Sequence, residues 1–426
     1  MRERVIVADG AQGTMLQAAD LDLADFEGLE GCNEILNVSR PDIVESLHTA
    51  YFDVGVDCVG TNTFGTNFAN LAEYDIVDRI YELALAGAKI ARGVADRYEA
   101  SDGRDRFVLG STGPGTKLPS LGHTEYSILR DAYQESARGL LDGGVDAILV
   151  ETSQDLLQTK AAIVGSRRAI TAAGSDIPIL AQVTVETTGT MLLGSEIGAA
   201  LTSLRHLGVS GIGLNCATGP AEMSEHLRYL AKHAETDLVL SCMPNAGLPE
   251  LTADGAHYPL TPAELAQAHD RFTTEYGLGL VGGCCGTTPE HMAAVVAEVA
   301  GRPIAARTPT DPPSASSLYQ TVPFRQDTTY LTIGERTNAN GSKAFREAMI
   351  AEDWQACLDI AKDQIADGAH LLDLCVDYVG RDGVADMREL ASRLATASTL
   401  PIVLDSTEPD VIAAGLEHLG GRSVIN

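Results

Sequence analysis

The sequence predicts an α/β protein with a closed (β/α)8 TIM barrel, a linker and an incomplete second (β/α) barrel. Short runs of β-branched and aliphatic residues alternate with helical segments, which favours parallel sheets. Eight such runs occur within about the first 300 residues, and eight strand–helix units close a barrel. A second series begins at Thr328 and stops at Asn426, at or within its fourth strand. We therefore predict a barrel over 1–301, a linker over 302–327 and a truncated second unit over 328–426.

The strands predicted for the barrel are short apolar runs. They are Val5–Ala8, Val56–Gly60, Phe107–Gly110, Ala147–Val150, Ile177–Val185, Gly211–Leu214, Leu238–Ser241 and Leu278–Val281. A doubly wound open sheet is the alternative architecture for this alternation. Its phosphate-binding pattern, GxGxxG, is absent after the first strand, so the closed barrel is the preferred prediction.

Three helices of the first unit have a sequence signal at their start. Ser39, Thr261 and Thr288 are each followed closely by a proline and an acidic residue. A hydroxyl can cap the first helical turn, and proline suits its first position. The helices predicted from these signals are Ile43–Phe52, Leu265–Tyr276 and Met292–Val299.

The second unit follows a stretch with five prolines, Arg302–Asp327, which predicts an extended linker. Its predicted strands are Tyr330–Ile333, Leu371–Leu374, Ile402–Leu404 and Ser423–Asn426. Its predicted helices are Trp354–Ala366, Val384–Ala397 and Pro409–Leu419. Because half a barrel has two open sheet edges, we expect the chain to be part of a longer protein.

Composition narrows the possible partners. The formal net charge is −29, which argues against nucleic acid and against anionic membrane surfaces as partners. No signal-like or membrane-spanning run is present in the sequence. Eight cysteines in 426 residues do not predict a disulfide framework, so a cytoplasmic location is expected.

Three cysteines follow two strands of the predicted barrel. Cys284 and Cys285 are adjacent in a glycine-rich segment, and Cys216 follows another strand. Flanking glycines permit unusual backbone angles, so two neighbouring sulfurs can turn to one point. Both strands end at the carboxyl rim, where barrel enzymes have their active sites. Three thiolates suit zinc, and an open fourth position suits catalysis.

The alternatives are a strained disulfide between the adjacent cysteines, a chance pairing, or burial of cysteine as a small hydrophobe. We expect burial of this kind for Cys58, Cys242, Cys357 and Cys375. Cys32, in a predicted loop, is assigned no role.

Two known families resemble the two units. The first unit resembles the homocysteine-binding domain of homocysteine S-methyltransferases, and the second resembles the first half of a pterin-binding barrel. The first resemblance rests on DGAQGTML (Asp9–Leu16), TNTFGTN (Thr61–Asn67), GLNCATGP (Gly213–Pro220), PNAGLP (Pro244–Pro249) and GGCCGTTPEHM (Gly282–Met292). The second rests on GERTNANGSKAF (Gly334–Phe345) and LDSTEPDVIAAGL (Leu404–Leu416). In this order the units resemble the cobalamin-dependent methionine synthase family.

The resemblance implies a reaction and a metal site. Homocysteine would be methylated by methylcobalamin, and the methyl group would come ultimately from 5-methyltetrahydrofolate. Cys216, Cys284 and Cys285 would bind zinc, with Asn245 as a candidate fourth ligand without substrate. The cobalamin would be carried by a further domain, since its binding pattern DxHxxG is absent from these residues.

Homocysteine also carries an ammonium and a carboxylate group. Asp9 and Glu151, at strand ends, are candidates for the ammonium, and backbone N–H groups around Gly13 and Thr14 for the carboxylate. The alternatives are turn capping for Asp9 and an ion pair with Lys or Arg for Glu151.

The pterin resemblance implies folate contacts at the strand ends of the second unit. Glu335, Asn338, Asp405 and Asn426 carry carboxylate or amide groups that match the hydrogen-bonding edges of a pterin. Asn338 could instead cap the helix predicted over Ser342–Met349. Further folate contacts would lie beyond residue 426, so we expect these residues alone to bind folate poorly.

Two other functions remain possible from the sequence. One is a stand-alone homocysteine S-methyltransferase that uses betaine or S-methylmethionine, although such an enzyme would not need the second unit. The other is a non-catalytic zinc-binding module, although structural zinc sites normally have four protein ligands.

Overall fold

The computed structural model describes residues 1–252 and 255–426. Its strands are β1 (Ile6–Val7), β2 (Cys58–Gly60), β3 (Phe107–Thr112), β4 (Ala147–Ser153), β5 (Ile179–Val183), β6 (Gly211–Asn215), β7 (Val239–Met243), β8 (Glu250–Thr252), β9 (Gly255–His257), β10 (Leu280–Val281), β11 (Ser314–Ser316), β12 (Thr321–Pro323), β13 (Ile333–Gly334), β14 (Leu371–Leu374), β15 (Ile402–Leu404) and β16 (Val424–Ile425).

Its α-helices are α1 (Gln12–Gln17), α2 (Leu36–Ser39), α3 (Pro41–Asp53), α4 (Phe68–Leu71), α5 (Ile80–Asp102), α6 (Tyr126–Asp142), α7 (Leu156–Ala172), α8 (Ile197–Leu204), α9 (Pro220–His233), α10 (Pro262–Tyr276), α11 (Pro289–Val299), α12 (Lys343–Ile350), α13 (Trp354–Ala366), α14 (Gly383–Ala397) and α15 (Pro409–Leu416). Within the described residues, no helix is both long and apolar enough to cross a membrane.

The first unit is a nearly closed barrel of eight parallel strands, as predicted. The strand order is β1-β10-β7-β6-β5-β4-β3-β2, and every pairing is parallel. The ends of this order meet through a parallel bridge between Ala8 and Cys58, and the Asp57 N–H donates to the Val7 carbonyl at 2.8 Å. The carboxyl ends of all eight strands therefore share one rim.

Two of the three predicted helix caps are confirmed. Thr261 and Thr288 each form a capping box at the start of α10 and α11. Ser39 does not cap α3, so that part of the prediction was wrong. Ser39 is the last residue of α2, where its hydroxyl donates to the Ile35 carbonyl one turn earlier at 3.1 Å. The preceding helical turn therefore uses the side chain that was expected to start the next helix.

The cysteines predicted to be apolar core residues are buried. Cys58 lies inside the barrel with strand residues such as Leu109 and Leu149, whereas Cys242 packs toward the surrounding helices. Cys357 and Cys375 are at most 3% exposed in the second unit, and Cys32 is also buried.

The second unit is a four-stranded parallel sheet in the order β13-β14-β15-β16. Leu372 and Leu374 pack against helices on one face. The segment predicted as an extended linker contains the antiparallel hairpin β11–β12, which places Ala315 and Val322 against Leu371 on the other face. Part of this proline-containing segment therefore folds onto the sheet, because its apolar residues gain burial there.

The two units are in direct contact. The Lys160 ammonium, at the start of α7, donates to the carbonyl oxygens of Leu419 at 2.8 Å and Gly421 at 3.0 Å. Arg130 and Glu417 form an ion pair across the same boundary at 3.3 Å. These polar contacts join the outer helices of the barrel to the end of the second unit.

Candidate metal and substrate site

Three cysteine sulfurs converge at the carboxyl rim of the barrel. The Sγ atoms of Cys216, Cys284 and Cys285 all lie within 4.8 Å of one another, and those of Cys216 and Cys285 are 3.8 Å apart. Tetrahedral zinc with Zn–S bonds of about 2.3 Å separates its sulfur ligands by about 3.8 Å. The donor set and its spacing therefore fit zinc.

The backbone turns sharply at both cysteine segments. Cys216 and Ala217 have φ angles of 62° and 59°, in the left-handed region that non-glycine residues rarely adopt. The adjacent pair is anchored to the loop after β7, because the Cys284 N–H donates to the Pro244 carbonyl at 2.8 Å. The Ala246 N–H in turn donates to the Cys285 carbonyl at 2.9 Å. These hydrogen bonds hold the Cys284–Cys285 pair against the loop that follows β7.

Asn245 lies within the loop that anchors the cysteine pair. It is 3% exposed, and its side-chain Oδ1 has no hydrogen-bond partner among the described residues. Its backbone N–H donates to the Thr218 carbonyl at 3.1 Å. A buried oxygen without a partner is unfavourable, so a ligand for this atom would be stabilising. Asn245 does not line the open cavity described below.

The thiols influence one another strongly. Hydrogen bonds from Cys216 and Cys284 lower the pKa of Cys285, with a further contribution from Tyr258. Hydrogen bonds with Cys216 and Cys285, together with burial, raise the pKa of Cys284. The three thiols therefore share hydrogen bonds in one cluster, and the protonation of each depends on the other two.

The sulfurs border a cavity of about 270 Å³ that also contains the residues predicted to bind an ammonium group. Asp9 is 7% exposed and accepts hydrogen bonds from the Gly60 N–H at 3.0 Å and the Gln12 amide at 3.2 Å. Glu151 accepts from the Ser111 hydroxyl at 2.6 Å. Burial raises the pKa of both carboxyl groups to about 7.

These carboxylates have no cationic neighbour in the described part of the chain. The ion pair considered for Glu151 is not observed: its contacts are a hydroxyl, an amide and the negative charge near Cys285. Asp9 does not cap α1, whose N-cap is Ala11, although it does accept a backbone N–H from Gly60. Two acidic groups thus face a cavity that lacks a positive charge.

Gly13 and Thr14 also line this cavity, in the first turns of α1. Apart from its chain neighbours and its own helix backbone, no atom lies within 4 Å of the position that a Cβ on Gly13 would occupy, so the space beside this residue is open. The Thr14 hydroxyl accepts a hydrogen bond from the Gly286 N–H at 3.2 Å, which ties α1 to the cysteine loop.

Sequence reasoning did not select two further residues of the site. Glu34 lines the cavity, is 8% exposed and accepts a hydrogen bond from the Gly65 N–H at 2.7 Å. Asn215 is fully buried, and its amide contacts both Glu151 and Cys284. The position of Asn215 at the end of β6, directly before Cys216, could have indicated that it belongs to the site. No local sequence pattern indicated Glu34.

The second unit gathers polar groups at the carboxyl ends of its strands. The Asn338 amide donates to Asp373 at 2.8 Å and to Asp405 at 3.2 Å. Asn338 is not the cap of α12, because the Ser342 hydroxyl accepts the Phe345 N–H there. Burial raises the pKa of Asp373.

The other predicted folate residues lie at the same edge but are exposed. Glu335 follows β13, and Asn426 follows β16, where its N–H donates to the Leu404 carbonyl at 3.0 Å. No side-chain hydrogen bond is observed for Glu335 or Asn426 within the described residues. The structure thus connects Asn338 with Asp405 and leaves the other two side chains facing solvent.

Known proteins match each unit. The profile of the family described as homocysteine S-methyltransferase matches residues 6–299, and that described as pterin binding enzyme matches residues 334–426. The methionine synthase of Mycobacterium tuberculosis is 68% identical over all 426 residues. That of Mycobacterium leprae is 66% identical over an alignment of 431 positions that covers the whole chain. The chain spans 36% of the length of each of these relatives.

A solved structure shares the fold of the first unit. The metallated form of the homocysteine methyltransferase MmuM from Escherichia coli superposes with a TM-score of 0.55 at 22% identity. The match covers 69% of this chain and 96% of the other. The matched profile extends from the first strand of the barrel to its last helix and includes all three clustered cysteines. The chain therefore belongs to the homocysteine S-methyltransferase family.

Proposed function

We propose that the first unit is the zinc-dependent, homocysteine-activating part of a methionine synthase. The main support is one arrangement: three converging sulfurs border a cavity in which two acidic side chains lack a cationic partner. Homocysteine would bring a thiol to the sulfur cluster and an ammonium group to the carboxylates. Membership of the homocysteine S-methyltransferase family is consistent with this substrate.

Cys216, Cys284 and Cys285 would hold zinc, which, when bound, favours deprotonation of a substrate thiol while leaving its sulfur nucleophilic. Asn245, whose Oδ1 has no partner, is the candidate fourth ligand in the absence of substrate. These residues would hold the metal so that the substrate sulfur, and not water, takes its remaining position, since water ligation would favour hydrolysis.

Asp9 and Glu151 would bind the substrate ammonium. Their pKa values of about 7 are those of carboxyl groups without a counter-charge, and an ammonium group would lower them. Backbone N–H groups around Gly13 and Thr14 would face the substrate carboxylate, beside the open space at Gly13. Both the ammonium and the carboxylate group of homocysteine would thus be bound.

The methyl group would reach homocysteine from methylcobalamin and originate from 5-methyltetrahydrofolate. The pterin-binding match over residues 334–426 and the relatives named methionine synthase support this. Glu335, Asn338, Asp405 and Asn426 would contribute folate contacts. The cobalamin would be bound by a domain outside these residues, because the chain spans 36% of those relatives. Eight free cysteines are consistent with our proposal of a reducing, cytoplasmic location.

Zinc-edge X-ray absorption with and without homocysteine tests the proposal. We expect three sulfurs and one oxygen or nitrogen ligand without substrate, and a fourth sulfur when homocysteine is added. A shell of unchanged composition would contradict substrate activation and favour the second candidate, a non-catalytic zinc module. The folded second unit, by contrast, favours the folate pathway over a stand-alone enzyme that uses betaine or S-methylmethionine.

A further inference from the structure

Thr152, beside the proposed ammonium site, has an unusual backbone conformation. Its φ angle is 56°, which is a genuine outlier for a β-branched residue. It lies near the end of β4, where the pairing with β5 shifts register between Val150 and Ser153. Such strain persists only where surrounding contacts stabilise it, and it is concentrated at functional sites.

The Asn215 side chain provides those contacts from the end of β6. Its Oδ1 accepts the Thr152 N–H at 2.7 Å, and its Nδ2 donates to the Thr152 hydroxyl at 2.8 Å. Asn215 is fully buried, so losing the hydrogen bond from the Thr152 N–H would leave its Oδ1 without a partner. The amide therefore holds Thr152 at both its backbone and its side chain.

The same amide also contacts the proposed ammonium-binding carboxylate and one of the clustered sulfurs. Its Nδ2 lies 3.3 Å from the Glu151 Oε2 and 4.0 Å from the Cys284 Sγ. Cys216, the next residue along the chain, begins the second left-handed segment of this rim. One side chain thus connects the acidic end of the cavity with the sulfur cluster.

We infer that Asn215 is a positioning residue that sets the distance between the ammonium site and the metal site. By holding Thr152 in the left-handed region, it directs the Glu151 carboxylate toward the cavity that the sulfurs border. This inference rests on the proposed function, since it assumes that Glu151 binds the homocysteine ammonium. It assigns the strain at Thr152 to substrate recognition and not to metal binding.

The test compares homocysteine with 4-mercaptobutanoate, which lacks the amino group, as acceptors of the methyl group of added methylcobalamin. In Asn215→Ala we expect KM for homocysteine to rise about tenfold or more. The KM for 4-mercaptobutanoate should change little, so the preference for the amino acid should fall. Zinc content, measured separately by metal analysis, should remain near one per chain.

A second substitution tests the role of the strain. Glycine adopts positive φ angles without cost, so adding Thr152→Gly to Asn215→Ala should restore much of the homocysteine preference. Thr184→Val is the matched control, because it removes a 3.1 Å hydrogen bond from the Thr184 hydroxyl to the Asn215 carbonyl without touching Thr152. The ratio of its KM for 4-mercaptobutanoate to its KM for homocysteine should equal that of the wild type.

The outcomes separate the inference from the function on which it rests. A wild-type chain that binds zinc but methylates no homocysteine would reject the proposed function. Normal wild-type turnover with an unchanged KM ratio in Asn215→Ala would reject the positioning role alone. If the KM ratio falls in Asn215→Ala and does not recover in the double variant, the positioning role is also overturned, because the strain at Thr152 would then be irrelevant.

Discussion

The Sγ atoms of Cys216 and Cys285 lie 3.8 Å apart, although 69 positions separate the two residues. They follow strands β6 and β10, which do not pair with each other because β7 lies between them. The sulfurs meet because parallel strands end at a common rim and because both segments turn inward after their strands. The proposed metal site therefore depends on the closed barrel.

Replacing one of these sulfurs should remove the metal without unfolding the barrel. In Cys285→Ser we expect zinc affinity to fall by more than about 100-fold, since even supporting residues of zinc ligands contribute 10–100-fold. Methyl transfer from added methylcobalamin to homocysteine should be lost, while far-ultraviolet circular dichroism stays unchanged.

Cys357→Ala is the control for that experiment. Cys357 is a buried residue of the second unit, 1% exposed. The variant should bind zinc and methylate homocysteine as the wild type does. Retained zinc and an unchanged rate in Cys285→Ser would reject this residue as a ligand.

Glu151→Gln should stabilise the protein without substrate while weakening homocysteine binding. The folded-state pKa of Glu151 is about 7, above its ordinary value of 4.5. Between these pH values the folded state binds more protons than the unfolded state, so this group makes stability fall as pH rises. At pH 8 the variant should be more stable by at most about 3 kcal/mol, and the difference should vanish toward pH 4.5. Urea unfolding at several pH values measures this difference.

The same carboxyl groups should make substrate binding depend on pH. An ammonium group is bound by the ionised carboxylates, and burial raises the pKa of Asp9 and Glu151 to about 7. We expect KM for homocysteine to rise as pH falls from 8 to 6, with a weaker dependence in Glu151→Gln. A flat profile in the wild type would contradict the assignment of these residues to the ammonium.

Lys160→Ala should weaken the association of the two units. The substitution removes both hydrogen bonds to the Leu419 and Gly421 carbonyls and should cost about 1–3 kcal/mol. We expect one calorimetric unfolding transition for the wild type and two for the variant. Lys89→Ala, on the exposed surface of α5, is the control and should leave the transition unchanged. An unaltered transition in Lys160→Ala would show that these two hydrogen bonds do not hold the units together.

Asp405→Asn should weaken pterin binding in the protein extended to the length of its relatives. Asp405 is held by the Asn338 amide at 3.2 Å, and a neutral side chain there loses a charged acceptor for a pterin N–H. We expect the affinity for 5-methyltetrahydrofolate to fall about 10-fold, measured by calorimetric titration. Asp410→Asn, at an exposed position in the first turn of α15, should bind normally. Equal affinities for both variants would remove Asp405 from the folate site.

The sequence by itself determined the eight strands of the barrel and the polar residues that follow them. The apolar runs became the eight barrel strands, and the capping signals at Thr261 and Thr288 became helix starts. These features depend on residues a few positions apart, because strand alternation and helix caps are local. The polar strand ends, including the three cysteines, could be assigned to one rim for the same reason.

Only the tertiary structure decided how those groups meet. Asn215 and Thr152 are 63 positions apart, and Lys160 and Leu419 are 259 apart, so no local pattern indicates either contact. The hairpin within the predicted linker formed because a distant sheet offered its apolar residues a place to bury. Such contacts depend on barrel closure, strand register and the docking of the units, which local hydrogen bonding and side-chain periodicity do not specify.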